Sequence, residues 1–162
     1  MKSEHVRPFP LSAAVITVSS TRTPDTDTSG STIKKLLSED EIPVAYYSIV
    51  PDKIDAIRDA LFAAEKSANC IIINGGTGLT HDDCTIEAVS PLLDKKMDGF
   101  GELFRMKSID QIGTSSFLSR AVAGIINGKA VFCIPGSTPA VTLATAELIL
   151  PEIRHIISHA NR

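Results

Sequence analysis

Short apolar runs alternate with segments whose apolar residues recur every three or four positions, and this alternation governs the first half of the chain. Ala13–Val18 is a near-continuous apolar run, short and rich in β-branched residues, which predicts a buried strand. Residues 19–31 read as a polar loop, and residues 32–41 carry Ile33, Leu36 and Leu37 at helical spacing. Val44–Val50 reads as a second strand. Pro51-Asp52 stops it, and residues 53–66 set Ile54, Ile57, Leu61 and Phe62 on one helical face. Residues 70–73 are a third apolar run. Strands in alternation with helices predict a largely parallel sheet covered on both faces.

The second half is less regular. Residues 85–93 predict a helix interrupted at Pro91, residues 95–105 contain the flexible run Gly99-Phe100-Gly101-Glu102, and residues 116–123 look helical. Two short apolar runs, 123–126 and 130–134, flank Asn127-Gly128-Lys129, and Asn-Gly is a strong hairpin signal. Pro135-Gly136-Ser137-Thr138-Pro139 is a strand-to-helix turn, and residues 140–160 predict a helix bent or broken at Pro151. The pattern therefore predicts an α/β fold: a three-layer α/β/α sandwich with a mostly parallel central sheet and a small antiparallel element. Residues 1–12, with Pro8 and Pro10, read as an N-terminal tether, and residues 13–162 as a single domain.

Composition narrows the function classes. A hydrophobic share of 43% and a charged share of 22% are those of an ordinary globular chain. The net charge of -3, without any Lys/Arg block, argues against a nucleic-acid surface. No apolar run reaches the ~18 residues of a membrane span, and the N-terminus has no apolar signal core, so a cytoplasmic location is expected. Cys70, Cys84 and Cys133 lack metal-knuckle spacing, and the four histidines form no zinc pattern.

The chemistry concentrates in one stretch. After the apolar run Cys70-Ile71-Ile72-Ile73 the chain breaks at Asn74 into Gly75-Gly76-Thr77-Gly78, followed by Asp82, Asp83 and Thr85. A strand, a turn that clusters backbone N–H groups, and carboxylates just beyond suit a phosphorylated ligand with Mg²⁺. A purely structural glycine turn is the competing reading, because glycine permits positive φ whether or not anything binds. Predicted strands end at Ser19-Ser20, Pro51-Asp52, Asn74-Gly75-Gly76 and Pro135-Gly136-Ser137. In open α/β sheets ligands sit beyond the carboxyl ends of the strands, so these segments can line one cleft.

Several short motifs, in this order, resemble the MoaB/MogA family of molybdenum cofactor biosynthesis. They are Val15-Ile16-Thr17-Val18-Ser19, Asp27-Thr28-Ser29-Gly30, Pro51-Asp52, the turn from Asn74 to Leu79 with Asp83-Cys84-Thr85 and Glu87-Ala88, Gly99-Phe100-Gly101-Glu102, Ser119-Arg120-Ala121-Val122-Ala123-Gly124, and Pro135-Gly136-Ser137. The stretch from Gly99 to Gly124 is more similar to the MoaB branch than to the MogA branch. The resemblance implies Mg-ATP-dependent adenylylation of molybdopterin, giving adenylyl-molybdopterin and pyrophosphate. The attacking group would be the terminal phosphate of molybdopterin. Phosphate monoesters, with a second pKa near ~6, are already anionic at neutral pH. No Ser-His or Cys-His device is then required, and none is evident. The work left to the protein is positioning and charge neutralisation.

The resemblance assigns Asp52 and Asp83 to Mg²⁺ and to alignment of the phosphates; helix capping is the bland alternative for both. Thr85 reads as a ligand contact or an N-cap. It implies phosphate contacts from Gly75, Gly76, Thr77 and Gly78, and a second wall from Pro135, Gly136 and Ser137, which also reads as a plain turn. Glu102 reads equally as a ligand contact or a helix cap, and Arg120 as a ligand contact or a structural ion pair. Ser19 and Ser20 either line the cleft or simply end a strand. Two departures stand out. Asp82 occupies a position where the family often has a basic residue, and Cys84 replaces a small aliphatic one. His81-Asp82-Asp83 is similar to the CinA family, which leaves a CinA-like nucleotide pyrophosphatase as one alternative and a non-catalytic molybdopterin-binding oligomer as another. The retained Pro51-Asp52 and Thr85 favour the enzyme. The family implies a homo-oligomer, a hexamer or a trimer, and residues 112–126 and 141–157 offer apolar surface for it.

Overall fold

In the computed structural model, which describes residues 9–162, six strands form one sheet in the order β2-β1-β3-β6-β5-β4. The strands are β1 (Ala13–Val18), β2 (Val44–Val50), β3 (Cys70–Asn74), β4 (Lys95–Lys96), β5 (Val122–Ile126) and β6 (Lys129–Ile134). The first eight residues of the expected tether lie outside the described residues. Phe9 and Leu11 pack against the core, so residues 9–12 are docked on the domain.

β1 pairs in parallel with β2 and β3, and β3 in parallel with β6. β5 runs antiparallel to both β6 and β4. The chain steps from β1 outward to β2 and returns to β3 on the other side of β1, which opens a switch point between the carboxyl ends of β1 and β3. Asn127 (φ 50) and Gly128 (φ 77) form the predicted hairpin turn, with positive φ at both central residues.

Both faces of the central strands are buried, which explains their unbroken apolar runs. Ala13, Val15, Cys70, Ile72, Ala130, Phe132 and Ile134 face one layer, which includes Ile33, Leu37, Phe104 and Val141. Ala14, Ile16, Ile71, Ile73, Val131 and Cys133 face the other, where Ile57, Leu61 and Ala64 of α2 (Ile54–Glu65) and Val89 of α3 (Thr85–Val89) pack. Cys70 and Cys133 are fully buried free thiols, and burial pushes both up to about 12.

Four elements differ from the sequence pattern. Helix α1 spans Thr28–Glu39 and so starts four residues before the expected start at residue 32, because the Asp27 side chain caps it by accepting from the Gly30 N–H. Residues 116–123 are not a single helix but split between the end of a 3₁₀ segment and the start of β5. Helix α4 (Asp98–Ile112) ends at Gly113 (φ 60), a 3₁₀ segment covers Gly113–Leu118, and Val122 and Ala123 enter β5 opposite Cys133 and Phe132. Sheet pairing overrides local helical preference there. β4 is a two-residue edge strand of exposed lysines, with no apolar pattern to reveal it. The last helix starts at Thr138, earlier than expected. It passes from α5 (Thr138–Thr142) through a widened π segment (Leu143–Ile149) into α6 (Leu150–Ala160). The π segment ends just before Pro151, which cannot donate to the i−4 carbonyl.

Candidate active site

The glycine turn sits at the switch point, and its backbone dictates its residues. Gly75 (φ 94) and Gly76 (φ 67) are in the left-handed region. A Cβ on Gly75 would collide with the Val18 carbonyl, and one on Gly76 with Thr85 Oγ1 while lying 3.2 Å from Asp52 Oδ1. The turn is therefore pressed against the ends of β1 and β2, and only glycine permits the approach. Thr85 fastens it from the other side. This buried hydroxyl donates to the Gly75 carbonyl at 2.8 Å, and the Thr85 N–H donates to the Gly76 carbonyl at 3.0 Å. Thr85 is thus neither an N-cap nor positioned by its hydroxyl as a free ligand donor.

The capping alternative for the two aspartates does not hold. The N-cap positions of α2 and α3 are Lys53 and Cys84, and neither helix has a side-chain cap. Asp52 instead accepts from Ser20 Oγ at 2.8 Å through Oδ2, and its own N–H donates back to Ser20 Oγ. Asp83 accepts from the Thr80 N–H and hydroxyl through its Oδ2, which lies 2.6 Å from where a Gly78 Cβ would be. Each acid is held by one oxygen beside a different glycine of the turn. Between them lies Cys84, whose thiol is pushed up first by burial and then by the negative charges of Asp52, Glu87, Asp83 and Asp82. Four carboxylates thus make the potential at this thiol negative.

Positive charge is scarcer. Arg120 Nε donates to the Thr77 carbonyl at 2.8 Å, and its two Nη atoms form a bidentate pair with Glu87. That hydrogen bonding lowers the Glu87 pKa and raises that of Arg120. Arg120 is therefore in a structural ion pair that also braces the turn. It still lines the open space beside Gly75, Gly76, Thr77, Gly78, Asp83 and Gly136. Arg120 and Ser119 also reach a neighbouring hollow of about 520 Å³ that contains Glu102. Glu102 lies within α4, whose N-cap position is Met97, so it is not a cap; nor does it reach the glycine turn directly.

The second wall is built from β6. Pro135 and Gly136 border the glycine turn, a Cβ on Gly136 falling 3.1 Å from Gly75 Cα, while Ser137 caps α5 by accepting from the Ala140 N–H. Ser19 accepts from the Thr21 and Arg22 N–H groups and shapes the loop after β1.

Behind these walls lies a polar cluster that the sequence reading did not assign to the site. Asp27 is 1% exposed. It accepts from Thr17 Oγ1 (2.7 Å), Tyr47 Oη (2.6 Å) and the Gly30 N–H (3.0 Å), with Arg22 at 3.4 Å. Burial raises its pKa, but these hydrogen bonds and the charge of Arg22 outweigh that and hold it below the usual value. Arg22 Nη2 and Ser29 Oγ both donate to the Gly136 carbonyl, tying the cluster to the second wall. Asn74 Nδ2 donates to Thr17 Oγ1 and ties it to the glycine turn. The usable signal was Asp27 just before Thr28-Ser29-Gly30, a capping pattern lost within a polar loop.

Mg²⁺ fits the chemistry of this donor set: two hard carboxylates flank the turn, and Mg²⁺ takes one or two of these with phosphate and water completing its sphere. No cluster of three or more metal-binding side chains occurs among the described residues, so the protein alone does not make a cage.

Comparison with known proteins supports one assignment. Residues 14–155 match the molybdenum cofactor biosynthesis family described as "Probable molybdopterin binding domain". The chain is 50% identical over 151 residues to molybdenum cofactor biosynthesis protein B of Staphylococcus aureus, covering 91% of this chain and 90% of that one. A crystal structure of a molybdenum cofactor biosynthesis protein B superposes with a TM-score of 0.92 at 46% identity, over 96% of this chain and 99% of that one. The tungsten cofactor synthesizing protein MoaB from Pyrococcus furiosus gives 0.86 at 40% identity, over 96% of this chain and all of the other. With its six-stranded mixed sheet, its glycine turn and these identities, the chain belongs to the molybdenum cofactor biosynthesis family, in its MoaB branch.

Proposed function

We propose that the protein acts in molybdenum or tungsten cofactor biosynthesis as a molybdopterin adenylyltransferase. The reading rests on the names of its relatives, which are cofactor-biosynthesis proteins, and above all on one observation. Asp52 and Asp83, from the separate loops that follow β2 and β3, flank a single left-handed glycine turn, and neither is used up as a helix cap. The molybdopterin phosphate oxygen attacks the α-phosphorus of ATP, the bond to the β-phosphate breaks, and pyrophosphate leaves. The N–H groups of Gly76 to Gly78 and Gly136 orient the phosphates. Asp52 and Asp83 would hold Mg²⁺, which supplies charge neutralisation where four carboxylates and a committed Arg120 supply none.

Incubation with molybdopterin, ATP and Mg²⁺ should give one adenylyl-molybdopterin and one pyrophosphate per turnover. Molybdopterin binding without either product would leave a non-catalytic binder. Pyrophosphate or AMP from a nucleotide without molybdopterin would favour the CinA-like alternative.

A homo-oligomer, a hexamer or a trimer, belongs to the same reading. The apolar residues of 141–157 that the sequence offered for it go largely into the core, with Val141, Leu148, Ile153 and Ile157 all buried. Exposed large apolar side chains among the described residues include Leu103, Met106 and Ile109 and, within the expected 112–126, Ile112, Phe117 and Leu118; Ile54, Phe62 and Leu79 are exposed elsewhere. Phe117 is 77% exposed, and the 3₁₀ segment that carries it also lines the cleft through Ser115 and Leu118. Light scattering should give a multiple of the 17.3 kDa chain mass, and Phe117→Asp should lower it.

A further inference from the structure

At the end of the sheet opposite the glycine turn, α6 presents two histidines one turn apart. Residues i and i+4 share a helix face, and here the rings meet: His155 Nε2 and His159 Nε2 are 3.0 Å apart, with the rings nearly perpendicular. The other nitrogen of His155 faces Glu152, Nδ1 to Oε2 at 3.2 Å. A carboxylate on Nδ1 favours the tautomer with the proton there, which leaves the Nε2 lone pair directed at His159. Metal-binding imidazoles are commonly oriented in this way, with the far nitrogen donating to a carboxylate.

The spacing selects a geometry. Two nitrogens 3.0 Å apart, each ~2.0–2.1 Å from one cation, subtend an angle of about 95°. That is the cis angle of a tetragonal or octahedral complex and is narrower than a tetrahedron prefers. The pair opens onto a cleft of about 690 Å³ walled by Asp94, Lys95, Ile125 and Gly128, with room for the waters that would complete such a sphere. Asp94 and Lys95 offset one another, so the attraction must come from the nitrogens rather than from a field of charge. His155 and Glu152 are each more than a third exposed at the side chain, so a cation can reach them.

We propose that His155 and His159 form a two-nitrogen chelate for a borderline divalent cation of the Ni²⁺ or Cu²⁺ class, with Glu152 as its orienting carboxylate. The site is independent of the phosphate chemistry: it lies at the amino ends of the parallel strands, where Asn161 Nδ2 of the same helical end bonds the Gly128 carbonyl of the β5–β6 turn. No third metal-binding side chain joins it among the described residues.

Titration calorimetry of the tag-free full chain with NiCl₂ should show one binding event per chain, and Cu²⁺ electron paramagnetic resonance should show two equivalent imidazole nitrogens. His155→Ala and His159→Ala should each weaken Ni²⁺ binding at least tenfold, with the circular dichroism melt showing that both variants fold. His81→Ala should leave binding as it is. Absence of saturable Ni²⁺ binding, parent-level binding by either α6 variant, or a loss confined to the His81 variant would each overturn the proposal. Adenylyl transfer is not the readout, so failure here leaves the cleft assignment intact.

Discussion

Asp27 and the pair Asp52 and Asp83 are all aspartates beside turns at the carboxyl ends of the sheet, but they are held in opposite ways. Asp27 lies behind the cleft walls with three hydrogen-bond donors and an arginine around its carboxylate. Asp52 and Asp83 stand at the rim. Each is held through one oxygen by a single nearby residue, Ser20 or Thr80. A buried carboxylate with saturated oxygens is an internal strut, since its ionised form is satisfied within the fold. A lightly held carboxylate beside a half-buried glycine turn remains available to a cation.

The sharpest test of this contrast is activity against stability. Asp83→Asn and Asp52→Asn should each cut adenylyl transfer by about 10²-fold or more, the scale of losing one preorganised electrostatic group. Their thermal unfolding should stay close to that of the parent. A folded variant of either kind with full turnover breaks the rim assignment, and an effect of only one breaks the paired arrangement.

Asp27→Ala should do the reverse. It removes an N-cap and strands the Thr17 and Tyr47 hydroxyls, with an expected cost of about 3 kcal/mol in urea unfolding. Tyr47→Phe removes one donor to a charged acceptor and should cost about 2 kcal/mol. If Asp27→Ala unfolds at the same urea concentration as the parent, the strut assignment is lost.

The pH profile tests the strut role of Asp27 further. Asp27 has its folded pKa below its ordinary value of 3.8. Its contribution is therefore complete above that value and fades as pH falls through it toward the folded pKa. Unfolding free energy should drop on acidification below about pH 4, and the drop should be shallower in Asp27→Asn. A profile unchanged by that substitution would contradict the lowered pKa.

The smallest expected effect is at the ion pair bracing the turn. Glu87 and Arg120 are each partly exposed, so Glu87→Gln should cost no more than about 1 kcal/mol. It should also free Arg120 toward the anion-binding space, so ATP binding should be equal or tighter by calorimetry. Marked weakening would mean that the pair itself shapes the site.

The sequence by itself determined the layered α/β class, the strands from Ala13 to Asn74, the Asn-Gly hairpin and the four strand-end segments. Each of these is written in local periodicity or in residues such as glycine with few conformational options. Gly75 and Gly76 were legible because their φ values exclude other residues. Tertiary structure alone decided the rest. Residues 122–123 became strand because β6 offered unpaired backbone groups. It also decided which polar residues work together. Thr17, Tyr47 and Asn74 come from three different strands, Arg22 and Asp27 from the loop between β1 and α1, and the five meet only when β1, β2 and β3 align. No local pattern encodes a hydrogen bond between residues that distant in sequence, because their proximity is a property of the packed sheet.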